Sequence, residues 1–428
     1  MRVCYLLLLF FLQCNLAICQ SKADYTKYVQ PIIQKNCVGC HKIGGIGPFR
    51  LDNYEDVAKR SQFIAKVTAI RYMPPFPADR SFQHYANERG LTEAEIETIQ
   101  LWAGQLPLNS RQLSVTKSPP SVSTPWPVSS QTTTTKPDYT FQMQKPFTVP
   151  NTAEEEFRYF YVPTYLKKDI YVSEIEFLPS NRKVLHHSRV MVDTSGRMAK
   201  IEGIKADDPA LATFQQIPMS DQFLYGWVPG NDRIKFPKGI AKKVKAGSNL
   251  VMNLHYSPSA KIQTDQSKVN FYVSKQPVER EVKSLILTEE NISNQPFLIK
   301  ANTKPVFYMT LGPIQQDISA ISVMPHLHWL GKSFRAFAIT PDGDVVPLVK
   351  IDNWDFNWQM TYQFQTLLHI PKGSTIMAEA TFDNTADNLL NPFKPAQDVT
   401  YGWNSTAEML EMVLYFVPYQ AGDELIRQ

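Results

Sequence analysis

Cysteine is scarce in this chain: there are five in 428 residues, and three of them, Cys4, Cys14 and Cys19, fall before residue 20. Beyond those only Cys37 and Cys40 remain, so the bulk of the fold has no disulfide framework and must rest on a full-sized hydrophobic core. Net charge is small as well, +4 from 44 basic and 40 acidic residues. That balance gives no reason to expect nucleic acid or an anionic membrane surface as a partner, and no DNA- or RNA-binding motif is present. Glycine is outnumbered by proline, 18 against 31, and no internal repeat is visible. What is there is 43% hydrophobic and 12% aromatic, a folded, loop-rich chain whose length asks for two or three domains.

The one long apolar run lies at the N-terminus and has the form of an export signal. Arg2 precedes "CYLLLLFFLQCNLAI", and "AIC" before Gln20 fits a small-x-small cleavage site, so residues 1–19 read as a signal peptide. The run is shorter than the roughly 20 apolar residues of a membrane span, and no transmembrane segment is expected after cleavage. The expected location is periplasmic or secreted. A lipoprotein anchor on Cys19 is the alternative, against which the bulky Ile18 speaks.

"CVGCH", Cys37 to His41, is the attachment pattern of a c-type haem: two thiols reach the two vinyl groups and His41 falls beneath the iron. A redox dithiol would not need His41, and half a zinc site would want a second CxxC, which is absent. "DYTKYVQPIIQKN" carries Val29, Ile32 and Ile33 as a helical stripe, with Pro31 inside it as a disturbance. "LTEAEIETIQLWAG" offers Thr92 as N-cap, Glu95 at the capping-box position, and Ile96, Ile99 and Trp102 on one face. Between them, in "RYMPPFPAD", Met73 sits on a proline-stiffened loop where a thioether can meet the far side of a haem; a core methionine is the other reading. Residues 22–105 thus resemble a small class I cytochrome c with one covalent haem. That resemblance implies that His41 donates its second ring proton to a proline carbonyl, for which Pro48 in "GIGPF" is the candidate.

Residues 106–137 then turn to "SRQLSVTKSPPSVSTPWPVSSQTTTTKP", where no apolar period survives. This reads as a semi-extended linker that lets the haem module approach its neighbour without being fixed to it.

From Asp138 onward helical periodicity gives way to short alternating runs such as "RYFYV", "DIYVSEIEF", "NLVMNLHY", "FRAFAI" and "STIMAEATF", separated by turns such as "TPDGD" and "IPKGS". Two tandem β-sandwiches or jelly rolls are expected, over residues 138–285 and 286–428. The fold class is therefore multidomain: a small all-α module followed by two all-β subdomains.

Five of the eight histidines fall in this β region: His186 and His187 in "VLHHS", His255 in "MNLHYSP", and His326 and His328 in "MPHLHWLGK". Taken singly, each is an ordinary half-buried histidine. Neighbours on a regular strand face opposite ways, so joint ligation by His186 and His187 needs a bulge or a strand end. His326 and His328 share a face, as a bidentate grip requires. Imidazoles suit zinc, copper, iron and nickel, whereas a thioether partner selects copper(I). "TAEMLEMVLYFVPY" supplies two candidates, Met409 and Met412. Three imidazoles at one centre and two with a thioether at another would hold two unlike copper ions.

In this order, "VLHHS", "PKGIAKKVKAGSNLVMNLHYSP", "MPHLHWLGK" and "GWNSTAEM" resemble the copper type II, ascorbate-dependent monooxygenases, the family of peptidylglycine α-hydroxylating and dopamine β-monooxygenase, over about residues 138–420. The resemblance implies two β-sandwiches facing each other across a solvent cleft. It assigns His186, His187 and His255 to an electron-transfer copper, and His326, His328 and Met409 to the copper where dioxygen is activated. Met409 is preferred to Met412 because the family's ligand directly follows an acidic residue, as Glu408 does here. The implied reaction hydroxylates a C–H bond of a small organic substrate, with electrons from ascorbate or a redox protein, here the fused haem. The peptide-processing members carry an arginine and a tyrosine that grip the substrate carboxylate; Met324 and Val413 stand at those positions, so peptidylglycine is not expected as substrate. A non-enzymatic periplasmic electron carrier or copper-binding protein is the competing reading. A structural zinc protein is a third, which leaves Met409 without a purpose. His84 and His369 are left as structural or surface residues.

Overall fold

The computed structural model describes residues 25–43, 45–106, 136–215, 217, 219–229 and 233–428. The signal-peptide and Cys19 readings lie outside the described residues, as does nearly all of the linker. Among the described residues no helix is long and apolar enough to cross a membrane. The chain forms two compact units, the first drawn from residues up to Phe76 and from Arg89 to Thr135, the second from Pro77–Glu88 and Lys136–Gln428.

The first unit is helical. Its helix Gln30–Asn36 keeps Pro31 in the first turn, where the missing N–H would be unsatisfied anyway, so the proline does not break it. The helix Glu93–Gln105 is opened by a reciprocal capping box of Thr92 and Glu95 and buries Ile96, Ile99 and Trp102. These pack with Tyr25, Ile33, Leu51, Val57 and Ile64 into a small core.

The second unit is built almost wholly of strands. A six-stranded sheet and a five-stranded sheet share one core, in which Ile175 and Phe177 of the first meet Phe160, Val190 and Leu254 of the second. Two four-stranded sheets come later in the chain. Strand partnership changes between Arg280–Glu281, which pairs back into the first half, and Lys283–Leu287, which pairs into the second. Four strands carry most of the candidate ligands: β1 (Leu185–Asp193), β2 (Asn249–Tyr256), β3 (Ile318–Leu327) and β4 (Leu410–Pro418). β1 and β2 are antiparallel neighbours in the five-stranded sheet, and β3 and β4 are antiparallel neighbours in a four-stranded one. The halves are welded: Tyr415 of β4 donates its hydroxyl to Leu224 O at 2.9 Å, and Arg280 grips Asp423 through two nitrogens at 2.5 and 2.7 Å.

The segment Pro77–Glu88, which the sequence pattern puts inside the helical module, belongs instead to the β unit. Its backbone bonds run outward to strands: Asp79 N to Lys350 O at 2.7 Å and Ala86 N to Gln363 O at 2.7 Å. Tyr85 is fully buried, rests on Tyr362 and Phe364, and donates its hydroxyl to Leu348 O at 2.9 Å. Asp79 is held at about 2 by hydrogen bonds from Ser81 and Lys350, well below the usual aspartate range. A depressed carboxylate stabilises above its unfolded pKa and loses that contribution as pH falls through its folded one. The strap should therefore loosen between about pH 4 and pH 2, read as pepsin cleavage within residues 77–88, and Asp79→Asn should abolish the pH step.

Candidate metal centre

The structure joins His186, His187 and His255 through a bulge. β1 and β2 pair His187 opposite His255 and then Leu185 opposite Tyr256, so His186 is the extra residue and its ring can turn to the same side as His187. The three Nδ1 atoms lie 3.1, 3.2 and 3.3 Å apart. Each such nitrogen carries either a proton or a lone pair. Among three mutually adjacent ones two must be alike, so at least one pair sets N–H against N–H or lone pair against lone pair. A cation between them removes the conflict, and a tetrahedral ion with bonds of about 2.0 Å separates its ligands by about 3.3 Å. The donors fit a metal.

The rings are oriented for it. His186 donates Nε2–H to Asn357 Oδ1 at 3.2 Å, which leaves its Nδ1 lone pair free, and His255 Nε2 stands 3.4 Å from Glu155 Oε1. Phe157 stacks on His255 with ring centres 4.0 Å apart. Burial holds all three histidines below their usual pKa, hence neutral, as ligation requires. The same burial pushes Glu155 up to about 7.

His326 lies in β3 and His328 just past its end, with ring centres 5.1 Å apart. The last β3–β4 pair is Leu327 with Leu410, so His328 and Met409 stand one step beyond it on neighbouring chains. His326 donates Nδ1–H to Gln359 Oε1, and His328 donates Nδ1–H to Ala407 O at 3.0 Å; both keep Nε2 for a ligand. His326 Nε2 lies 3.1 Å and Met409 Sδ 3.5 Å from one nitrogen, Nη2 of Arg189. Two of the three candidate donors, His326 Nε2 and Met409 Sδ, thus meet at one cationic nitrogen, and a guanidinium stands where a metal would. Met412 is buried in β4 opposite Pro325 and makes no such contact among the described residues.

An open solvent cleft between the two sets is not what the structure shows. Ring centres of His187 and His326 are 6.2 Å apart, and the space beside them, lined by Ser188, Gly226, Met324 and Gln359, is about 20 Å³. The reason is the loop between the strands Val345–Ile351 and Tyr362–Ile370. It inserts Phe356 within 5.1 to 6.4 Å of His186, His187, His255 and His328, with Asn357 and Gln359 beside it. The larger cavity, about 510 Å³, lies to one side, lined by Glu155, Phe157, Lys205, Asp207, Trp329 and Asn404 among others.

Phe356, Asn357, Gln359, Arg189 and Glu155 are functional neighbours that sequence reasoning misses. The loop does carry a signal, since "NWDFNWQ" is too aromatic for an ordinary surface turn; Arg189 offers none. Gln359→Leu should leave His326 Nδ1–H without an acceptor and weaken metal binding at that set by about 10–100-fold, measured by competition with a chelator.

In the helical unit Cys37 and Cys40 are half-buried and form no disulfide among the described residues, and burial pushes the Cys37 thiol up to about 12. His41 donates Nδ1–H to Phe49 O at 2.9 Å, not to Pro48, because the turn after His41 brings the next carbonyl over the ring, which Phe49 also covers at 4.8 Å. Nε2 is thereby left with its lone pair, and the two thiols with His41 are a donor set that fits a haem. Met73 is half-buried, with its amide bonded to Val67 O at 3.1 Å. His84 is exposed against Glu88, and His369 stacks on Tyr419 at the surface.

Residues 306–422 match the family model of the copper type II ascorbate-dependent monooxygenase C-terminal domain, a segment that contains His326, His328 and Met409, and the match supports that family for this part of the chain. No curated protein matches the chain. Among solved structures, the VP2 subviral particle of infectious bursal disease virus aligns at 9% identity and TM-score 0.18, covering 68% of this chain and 74% of that one. The major capsid protein P2 from bacteriophage PM2 aligns at 8% identity and TM-score 0.24, covering 67% and 99%. Allantoicase aligns at 10% identity and TM-score 0.15, covering 56% and 80%. At such scores these likenesses carry no argument about this chain.

Proposed function

We propose that the chain is an exported monooxygenase with two coppers and one covalent haem, which hydroxylates a C–H bond of a small organic substrate with dioxygen. One oxygen atom goes to the substrate and one to water; two electrons come from a donor such as ascorbate by way of the haem module, and two protons come from solvent. The observation that carries this reading is the pair of unlike donor sets within one unit: three imidazoles on β1 and β2, and, where β3 ends and β4 begins, His326 and Met409 about one guanidinium nitrogen with His328 beside them. When bound, copper supplies one-electron redox at the first set and dioxygen activation at the second.

The chain's own residues do the rest. His186, His187 and His255 would hold the first ion through Nδ1, with Asn357 accepting from His186 and Glu155 standing 3.4 Å behind His255. His326 and His328 offer Nε2, and the Met409 thioether biases that position toward copper(I). Phe356 keeps water from the space between. The 510 Å³ cavity is lined by none of the candidate ligands but lies next to the first set, through Glu155 and Phe157 beside His255, and is our candidate for the substrate. Cys37, Cys40, His41 and Met73 would hold the haem that feeds electrons inward.

A second reading, an electron-transfer or copper-holding protein that hydroxylates nothing, is favoured by the 20 Å³ of space beside His326. Metal content of the matured, haem-loaded chain tests the proposal, with Met409→Ala measured in parallel. Two coppers, one of them weakened in the variant, support it; zinc, or no metal after copper loading, overturns it. Dioxygen consumption coupled to a product then separates enzyme from carrier.

A further inference from the structure

We infer that Arg189 is a resident occupant of the second metal position, which copper(I) must displace onto Glu411 before it can bind. The inference rests on the reading that His326, His328 and Met409 form a copper site. Arg189 is buried at 8% exposure in β1, two residues beyond His187. A buried guanidinium ordinarily spends its donors on a carboxylate at about 2.7–2.9 Å. Here Nη2 is spent on the lone pairs of His326 Nε2 at 3.1 Å and Met409 Sδ at 3.5 Å, the two atoms a metal would claim. Among the described residues its ion-pair partner is Glu411 Oε2, 3.5 Å away, and Nη1 has no hydrogen-bond partner.

Two cations do not share one site, and the structure provides somewhere for the arginine to go. Glu411 is buried and stands opposite His326 in the β3–β4 pairing, so the acceptor lies on the strand beside the ligand and already within ion-pair reach of the guanidinium. The indole of Trp403, 5.3 Å from the guanidinium carbon, supplies a face along which the group can slide. If the arginine-out state is populated at about one part in ten, apparent copper affinity at this site falls about tenfold, and the first site fills before the second.

The test is competition between the haem-loaded chain and a chromogenic copper(I) chelator, run on Arg189→Gln, Glu411→Gln and the double variant. Arg189→Gln should tighten the second site about tenfold, because the competitor is gone. Glu411→Gln should weaken it by a similar factor, because the displaced guanidinium has lost its acceptor, and the double variant should return to the tight value. The first site should move in none of them. A merely structural ion pair would weaken the second site in both single variants, and that result, or unchanged affinity, overturns the inference. Should Arg189→Gln fail to fold, Arg189→Met takes its place as the tightening arm, and unchanged or tighter copper in Glu411→Gln would by itself sink the occupant role. One copper in the wild type and in every variant would instead bring down the two-copper reading itself.

Discussion

On the two-copper proposal, replacing His187 with alanine should remove one copper and leave the other in place. Structural metal sites of three or four ligands are worth about 10–16 kcal/mol, so one ligand carries about 3–4 kcal/mol, or a factor of about 10²–10³ in affinity. The consequence for the metal-free protein has the opposite tendency. His187 is one of three nitrogens held within 3.3 Å of each other, and at least one of their contacts is repulsive without an ion. Truncation opens a cavity but relieves that conflict, so metal-free stability should fall by less than the loss of a buried ring alone would predict. Copper should raise the melting temperature of the wild type and raise that of His187→Ala by clearly less. Metal analysis and thermal unfolding with and without copper check both. Equal copper content in the two proteins would remove His187 from the site.

The same three histidines show what can be read from a sequence and what cannot. Their identity is visible as "HH" and a later "H", and so is the objection that adjacent residues on a strand diverge. The bulge that answers the objection is a register shift between β1 and β2, a property of two strands whose histidines stand 69 residues apart in the chain. His326 and His328 are easier, since an i, i+2 spacing puts both on one face without help from a partner strand. The capping box at Thr92 and Glu95 is legible for the same reason: its chemistry is complete within four residues. What stays hidden is tertiary. Gln359 and Asn357 matter because a loop inserts them between two sheets, and Arg189 because β1 happens to face β4. The strap at 77–88 misleads for a related reason, as its tyrosine and asparagine look like ordinary loop residues until Leu348 and Thr361 are beside them.

Glu408→Ala should be the most damaging single change outside the ligands. Glu408 is fully buried, and burial pushes its carboxyl up to about 8 against the three backbone N–H bonds that pull it down. Oε2 accepts from His328 N at 2.9 Å and Met409 N at 3.2 Å, and Oε1 accepts from Leu330 N at 2.7 Å. One side chain thus ties the backbone of a histidine ligand to the backbone of the methionine ligand across two strands. Alanine orphans three buried donors at about 1 kcal/mol or more each and leaves a cavity, so a total loss of at least about 3 kcal/mol is expected in urea unfolding. Glutamine is the sharper probe. It keeps the volume, but its amide must set an N–H against a backbone N–H, which spreads His328 from Met409 without emptying the core. Glu408→Gln should therefore weaken the second copper by about 10–100-fold while the first keeps its affinity. A variant that loses stability yet binds both ions as before would reduce Glu408 to a brace for the fold. Selective loss of the second would make it the residue that holds two ligand strands in step.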